Sequence, residues 1–337
     1  MLIKLADKTV GNLTFTPMKS IEELQLLYNS ELKQSLELLE GKRKQVLKKI
    51  LVIILVIALV VAVFFMANNY PNLIYLGIAG ILAAIYFIYK AVVAFRTYRT
   101  EFKEKVVREI VKLINPEWSY EPKGHISEGN YMTSKLFTKR PDRYKGDDLV
   151  AGVIEKTDFR MSELHSEYKT ESTDKDGNRR TTWHTIFKGL FAHIDFNKEI
   201  NGETFVLPDT AERLFGKFGQ KLQSMSSRGK LIKLENVEFE KLFVVYGADQ
   251  IEARYILTPT MMEAMVNIQR LYKTNVFFSF IGSRVYFAMS FSKDLFEPRV
   301  FKSGVRFDDI KQMNDQFRVI QTIISEMNLN TRIWTKE

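Results

Sequence analysis

His193 and Asp195 stand two apart in "FAHIDF", and an HxD pair is a recognised start for a metal ligand set or an acid–base couple. On a strand the two would share one face, with Leu190, Ala192, Ile194 and Phe196 on the other. No third ligand stands at useful spacing, so the spacing favours a hydrogen-bonded surface pair on an amphipathic strand. His165 and His184 fall in two segments that read as opposing strands of a hairpin, where the register decides whether they meet. His125 lies in a loop with no evident partner. Glu252 and Arg254, in "DQIEARYIL", are two apart in an alternating stretch and read as a same-face ion pair on a strand, joined by Asp249. A polar binding surface is the functional reading of that pair, and a structural one orienting the strand is the plainer reading.

Other chemistry is thinner still. The chain has no cysteine, which excludes disulfides, thiol catalysis and cysteine metal sites. There is no GxSxG elbow, no GxxxxGK[ST] loop and no strand–GxGxxG–helix, and "LFGKFGQK" at 214–221 reads as a helix end. No catalytic, cofactor-binding or metal-binding residue is therefore assigned. The balance of 49 Lys and Arg against 40 Asp and Glu gives a net charge of +9. No RRM, KH or helix-turn-helix pattern accompanies that charge, and much of it sits beside apolar runs, so anionic lipid headgroups are expected as partners rather than nucleic acid.

The elements that must position these residues begin with two apolar runs. Residues 50–67, "ILVIILVIALVVAVFFMA", and 73–93, "LIYLGIAGILAAIYFIYKAVV", each approach the roughly 20 residues needed to cross a bilayer. Residues 68–72, with Asn68, Asn69, Pro71 and Asn72, read as a short external loop. Tyr70 and Tyr75 suit one interface, Tyr86 and Tyr89 the other. Gly77, Gly80 and Ala84 share one face of the second helix, and Ala58 and Ala62 one face of the first, as if for close approach. Lys42, Arg43, Lys44, Lys48 and Lys49 precede the first run, Lys90, Arg96, Arg99, Lys103 and Lys105 flank the second, and the loop has no Lys or Arg. By the positive-inside rule both termini face the cytoplasm, which disfavours functions that need an external domain.

Around the runs, residues 1–19 form an arm. Residues 20–49 begin with the capping box "SIEE" and continue as an amphipathic helix through Ile21, Leu24, Tyr28, Leu32, Leu36 and Leu39. Residues 94–116 form a stalk helix ended by Asn115-Pro116. The first helix is acidic over Glu22–Glu40 and the second basic over Arg96–Arg108, so the two either pair electrostatically or present solvated faces. Residues 117–337 read as an α+β domain. Strands are expected at 159–170 and 181–197 around the turn "DKDGN", at 237–246 and 250–257, and as a hairpin of 276–281 and 284–291 turning at Gly282-Ser283. Helices are expected at 208–223, from Thr258-Pro259 to about Lys273, and from Asp308 or Asp309 with a stripe of Ile310, Met313, Phe317, Ile320 and Ile324.

The block "VEFEKLFVVYGADQIEARYILTPTMMEAMVNI", residues 237–268, with "FKGLFAHIDFNKEINGETFVLPD" at 187–209 and a paired apolar segment upstream, resembles the bacterial membrane-protein family described as domain of unknown function 3137. The resemblance implies a bacterial inner-membrane protein, with a LemA-like membrane protein as a neighbour and partner to consider. It supplies no catalytic residues. The combined expectation is an α+β cytoplasmic domain on a two-helix transmembrane hairpin with a helical stalk, acting as a non-enzymatic scaffold or adaptor within a homo- or hetero-oligomer. The alternative is an enzyme at the inner leaflet using His193, Asp195, Glu252 and Arg254.

Overall fold

A computed structural model describes residues 21–326 apart from 155, 176 and 210–227. The expected arm at 1–19, the Ser20 cap and most of the helix expected at 208–223 lie outside the described residues.

Two long helices carry the apolar runs: α1, Ile21–Ala67, and α2, Leu73–Ile114. Both are long and apolar enough to cross a membrane. They are joined by a tight turn in which Asn69 N donates to Met66 O at 3.0 Å and Leu73 N to Tyr70 O at 3.0 Å. Their contact follows a seven-residue repeat, the pattern that keeps one seam between two helices in register. On α2 the repeat is Gly77, Ala84, Ala91 and Tyr98, all buried; on α1 it is Leu39, Val46, Ile53, Val60 and Ala67, all buried or half-buried. A Cβ at Gly77 would stand 3.0 Å from the Phe64 ring, and one at Gly80 would stand 2.5 Å from Val60 Cγ2. The small-residue face of α2 is therefore in the contact as expected. Ala58 and Ala62 are not: both are exposed, because the seam on α1 runs along the Val60 stripe.

Beyond the apolar runs each helix contains one wider, π-type turn, Tyr28–Leu32 in α1 and Lys103–Val107 in α2. The buried residues there step by four: Leu24, Tyr28, Leu32 and Leu36 on α1, Phe102, Val106 and Ile110 on α2. A turn that accommodates an extra residue keeps such four-residue steps on one face. That face joins the domain core instead of projecting into solvent.

The domain is a seven-stranded antiparallel sheet in the path β1-β2-β3-β4-β6-β5, with β7 also on β4. The strands are β1 Ser119–Glu121, β2 Arg143–Ile154, β3 Thr157–Thr173, β4 Arg179–Pro208, β5 Lys230–Ile232, β6 Phe243–Gly247 and β7 Val276–Ser290. Between them lie α3 Glu128–Thr133, α4 Val237–Glu240, α5 Gln250–Ile256 and α6 Pro259–Tyr272, and α7 Phe307–Glu326 follows β7. The β3–β4 hairpin turns where expected, with Gly177 N donating to Asp174 O at 3.1 Å. β4 is the hub. It pairs with β3 over its first half, β6 at its end, and β7 from Gly189↔Ser290 to Val206↔Phe278.

Three local expectations change. The hairpin expected at 276–291 is one strand, and Gly282 with φ +60° bends β7 where β4 carries its own irregularity between Asp195 and Ile200. Residues 250–257 are helix α5 rather than strand, and 237–246 splits into α4 and β6. Two expected helices stand: Thr258 caps α6, its hydroxyl accepting from Met261 N at 3.3 Å, and Ile310, Met313, Phe317, Ile320 and Ile324 of α7 are all buried.

The sheet is covered on both faces. One face packs on α1, α2, α6 and α7, through Leu190, Ala192 and Ile194 of β4 among others. The opposite face packs on the segment around α3, where Tyr131, Phe137, Phe187, Phe191 and Phe277 form an aromatic cluster. Segment 292–306 straps across the helices. Phe296 stacks on Phe317 at 4.0 Å, and the Arg43 guanidinium bridges Glu40 and the Val300 carbonyl, the latter at 2.6 Å.

Candidate functional site

The four residues singled out for chemistry occupy different settings. His193 sits mid-sheet, opposite Arg160 on β3 and Tyr286 on β7. It is only 6% exposed, so the expected surface pair with Asp195 is corrected. At His193, β4 is flanked on both edges and covered on both faces, which buries polar and apolar positions alike. Its Nε2 is buried without a hydrogen-bond partner among the described residues. Burial, then the nearby charges of Arg284 and Arg160, push its pKa down to about 4, so the ring is neutral at physiological pH. Asp195 faces Arg284 of β7 in the sheet register.

Glu252 and Arg254 do not pair with one another. Glu252 lies in α5, capped by Asp249, whose Oδ1 accepts from Ile251 N at 2.7 Å. Its two carboxylate oxygens accept from Asn201 N and Gly202 N, each at 2.7 Å, and so fix the irregular stretch of β4. Arg254 donates to Lys233 O at 3.0 Å. The other histidines do not converge either. His184 lies opposite Tyr168 and stacks on it at 4.9 Å, while His165 lies opposite Lys188 and reaches Thr185 Oγ1 at 3.3 Å.

Sequence reasoning missed two places. The first is a charge cluster where α2 enters the domain. Lys103, 3% exposed, places its ammonium 2.8 Å from Asp147, 2.6 Å from Asp148 and 2.9 Å from Glu297. Arg99 adds bonds to Asp147 at 2.6 Å and to Glu297. Tyr120 donates to Asp148 at 2.5 Å. Of the two alternatives for Arg96–Arg108, pairing with the acidic part of α1 or a solvated face, neither describes Arg99 and Lys103, which turn to the domain. Among the described residues the cross-helix ion pair there has the opposite polarity, Lys42 with Glu101. Burial opposes charge on Lys103, but Asp148 and Glu297 outweigh it and push its pKa up to about 12. Burial pushes Asp148 up to about 7, against the pull of Lys103. The three carboxylates are close enough to hold a cation. The Lys103 ammonium already occupies their centre, so the cluster is an internal ion network. Beside it, burial raises Glu163 to about 8, and this carboxyl accepts from Leu295 N at 2.9 Å and bonds Asp294.

The second is a cleft of about 850 Å³ on the aromatic face of the sheet. Its wall includes Phe137, Tyr168, Trp183, Phe187, Phe277 and Phe291. Lys139 lies 3.2 Å over the Tyr168 ring, and the Arg143 guanidinium lies 3.4 Å over Trp183. Among the described residues of the wall, Lys139, Tyr168, His184 and Lys188 are titratable and none is a carboxylate. An apolar concavity with a few placed polar groups is the usual form of a binding site. Its aromatic residues come from three strands and two loop segments, with no sequence spacing to announce them.

The fold and these sites describe an α+β domain carried on a pair of long apolar helices. Residues 185–329 match the family described as "Protein of unknown function (DUF3137)", so this part of the chain carries that domain. No curated protein matches the chain. Among solved structures the chain is similar to the crystal structure of the mycobacterial trehalose monomycolate transport factor A, TtfA, at 10% identity, over 63% of this chain and 92% of that one. The TM-score is 0.30, and a likeness at that level carries no argument about this chain's function.

Proposed function

We propose that the protein is a non-enzymatic adaptor of the bacterial inner membrane, which holds its α+β domain at the cytoplasmic surface for a partner protein. One observation carries this reading: Glu252 and Arg254 hold backbone and His193 is buried mid-sheet apart from them, while the cleft on the aromatic face has no carboxylate among the described residues of its wall. A general base or metal ligand set needs convergence on one point. An aromatic wall instead suits capture of another chain.

The orientation with both termini in the cytoplasm rests on the charge asymmetry around the spans. Exposed Lys44, Lys48 and Arg96 beside them suit anionic headgroups. A LemA-like membrane protein is the first partner to test, and assembly with further copies of the chain is the second. A reporter active only outside the cytoplasm should be silent after Glu337 and active at Asn69; activity at Glu337 would reverse the topology. Purification in mild detergent followed by mass spectrometry should return a defined partner. That partner should persist in His193→Ala and Asp195→Asn. A well-folded His193 or Asp195 variant that binds its partner yet has lost all cellular function would replace the adaptor with the enzyme.

A further inference from the structure

The cleft follows the open edge of a strand. Side chains alternate between the faces of a sheet, yet six consecutive residues of β4, 183–188, line it. That is the signature of a wall seen edge-on. The register explains it. β3 pairs with β4 out to Thr173↔Arg179, whereas β7 joins the other edge only from Gly189↔Ser290 onward, with Phe291 N closing on Lys188 O at 3.0 Å. Among the described strands, residues 181–187 of β4 therefore have a neighbour on one side only. Gly189 marks the end of the occupied lane: with φ +150°, a Cβ there would stand 2.1 Å from Met289 O.

The open edge is interrupted by one bulge, at Ile186, where Ser166↔Phe187 is followed by Glu167↔Thr185, and is otherwise regular. Its sequence, "TTWHTIF", has no proline and no lysine and consists largely of β-branched and aromatic residues. Every second residue of such an edge turns its backbone N–H and C=O outward. Seven residues at about 3.3 Å each offer roughly 23 Å of ladder. The aromatic wall would receive apolar side chains of an added strand. The charge of the wall selects the rest: Lys188 is met by Asp294 at 2.7 Å, but Lys139 has no ion pair and no carboxylate lines the cleft among the described residues.

We propose that residues 181–187 of β4 accept an extended, acidic peptide segment of a partner protein as an added strand, in the lane that β7 leaves empty, with its apolar side chains in the cleft. Main-chain bonds would give such a strand its affinity and the pockets its specificity. This rests on the adaptor reading and names how the partner is held.

The test uses the full chain in detergent and fluorescein-labelled heptapeptides alternating Glu with Val and Phe. The acidic peptide should bind saturably, and a version with Lys in place of Glu should bind about tenfold or more weakly, a difference of about 1.4 kcal/mol. Two further peptides carry N-methyl groups on one or the other alternate set of amides. One set should abolish binding and the other leave it nearly intact, because only one set faces β4. Lys139→Glu should lose the preference for Glu over Lys. Equal effects of the two methylation patterns, or no saturable binding by any peptide, would overturn the proposal. So would photo-cross-linking from position 185 to residues 1–20 or to a second copy, which would assign the lane to those segments. If the peptides fail while the native partner still co-purifies with Lys139→Glu, the strand proposal falls and the adaptor reading stands; if no partner co-purifies from cells but the acidic peptide binds as described, the reverse holds.

Discussion

The junction between α2 and the sheet and the cleft at the far face draw on the same kinds of residue and use them in opposite ways. At the junction, Lys103 and Arg99 are met by Asp147, Asp148 and Glu297, and Tyr120 closes the remaining oxygen of Asp148. In the cleft Lys139 rests on the Tyr168 ring, and beside it Arg143 rests on Trp183 with only a 4.0 Å approach to Glu167. One region spends its charges internally and fixes a membrane-apt helix to the domain. The other leaves cations, rings and a strand edge open. The difference separates what holds the molecule together from what it offers outward.

The sharpest way to break this contrast is Lys103→Met. Removing one partner of a buried ion network leaves uncompensated charge, at a typical cost of about 3–5 kcal/mol. Thermal unfolding in detergent should show a large loss, and Asp148→Asn in the same chain should recover part of it. A Lys103→Met protein as stable as the parent would mean that the junction is not an internal network. Charge reversal at Arg99 and Lys103 would for the same reason damage the domain rather than report on pairing between α1 and α2.

His193 should give the next largest effect, visible only on acidification. Its folded pKa of about 4 lies below the ordinary value of 6.5, so the unfolded chain takes up the proton first as pH falls. Stability is full above pH 6.5 and declines toward pH 4, by up to about 3 kcal/mol from this group. His193→Phe removes the proton acceptor and the partnerless Nε2 together. Its unfolding free energy should lack this share of the acid loss; an unchanged pH slope would place the imidazole in a wetter setting. Glu163 has the opposite sign. Its pKa is raised from 4.5 to about 8, first by burial and also by Asp147, Asp294 and Asp148, so stability present below pH 4.5 drains as pH rises through 8. Glu163→Gln keeps the bonding shape without the charge. It should raise Tm more at pH 8 than at pH 5, and a uniform shift would contradict that origin.

What was legible in the sequence was local. The Thr258-Pro259 cap and the α7 stripe each lie within one element, where spacing and side-chain type decide the outcome. The helix at 250–256 is legible too: Asp249 with Glu252 three residues on has capping-box spacing, although alternation in "QIEARYIL" argues for a strand, and in the structure Asp249 caps the helix while Glu252 turns to β4. Gly282-Ser283 looks like a turn, yet pairing of β7 along β4 overrides it and leaves only a bend. His193 reads as amphipathic because its sheet neighbours cannot be seen in its own strand. The Lys103 network joins a helix, a bulge at Asp147–Val150 and the 292–306 strap, so no spacing encodes it. The cleft is harder again, because it is defined by where β7 stops.

Lys139 tests the contrast from its mild side. Lys139 is half-buried; a cation over a ring near the surface is worth about 0.5–1 kcal/mol, and Lys139 makes no ion pair among the described residues whose loss would strand a buried charge. Lys139→Glu should therefore shift the unfolding free energy by about 1 kcal/mol or less, several-fold below the effect of Lys103→Met. The two lysines differ in number of bonds: three carboxylates hold one, one ring holds the other. If Lys139→Glu instead unfolds the domain, the cleft is part of the core, and its cations are structural in the same sense as those at the junction. If it leaves the melt almost unmoved while acidic-peptide binding disappears, the division between a closed junction and an open edge holds at the single residue where it is easiest to measure.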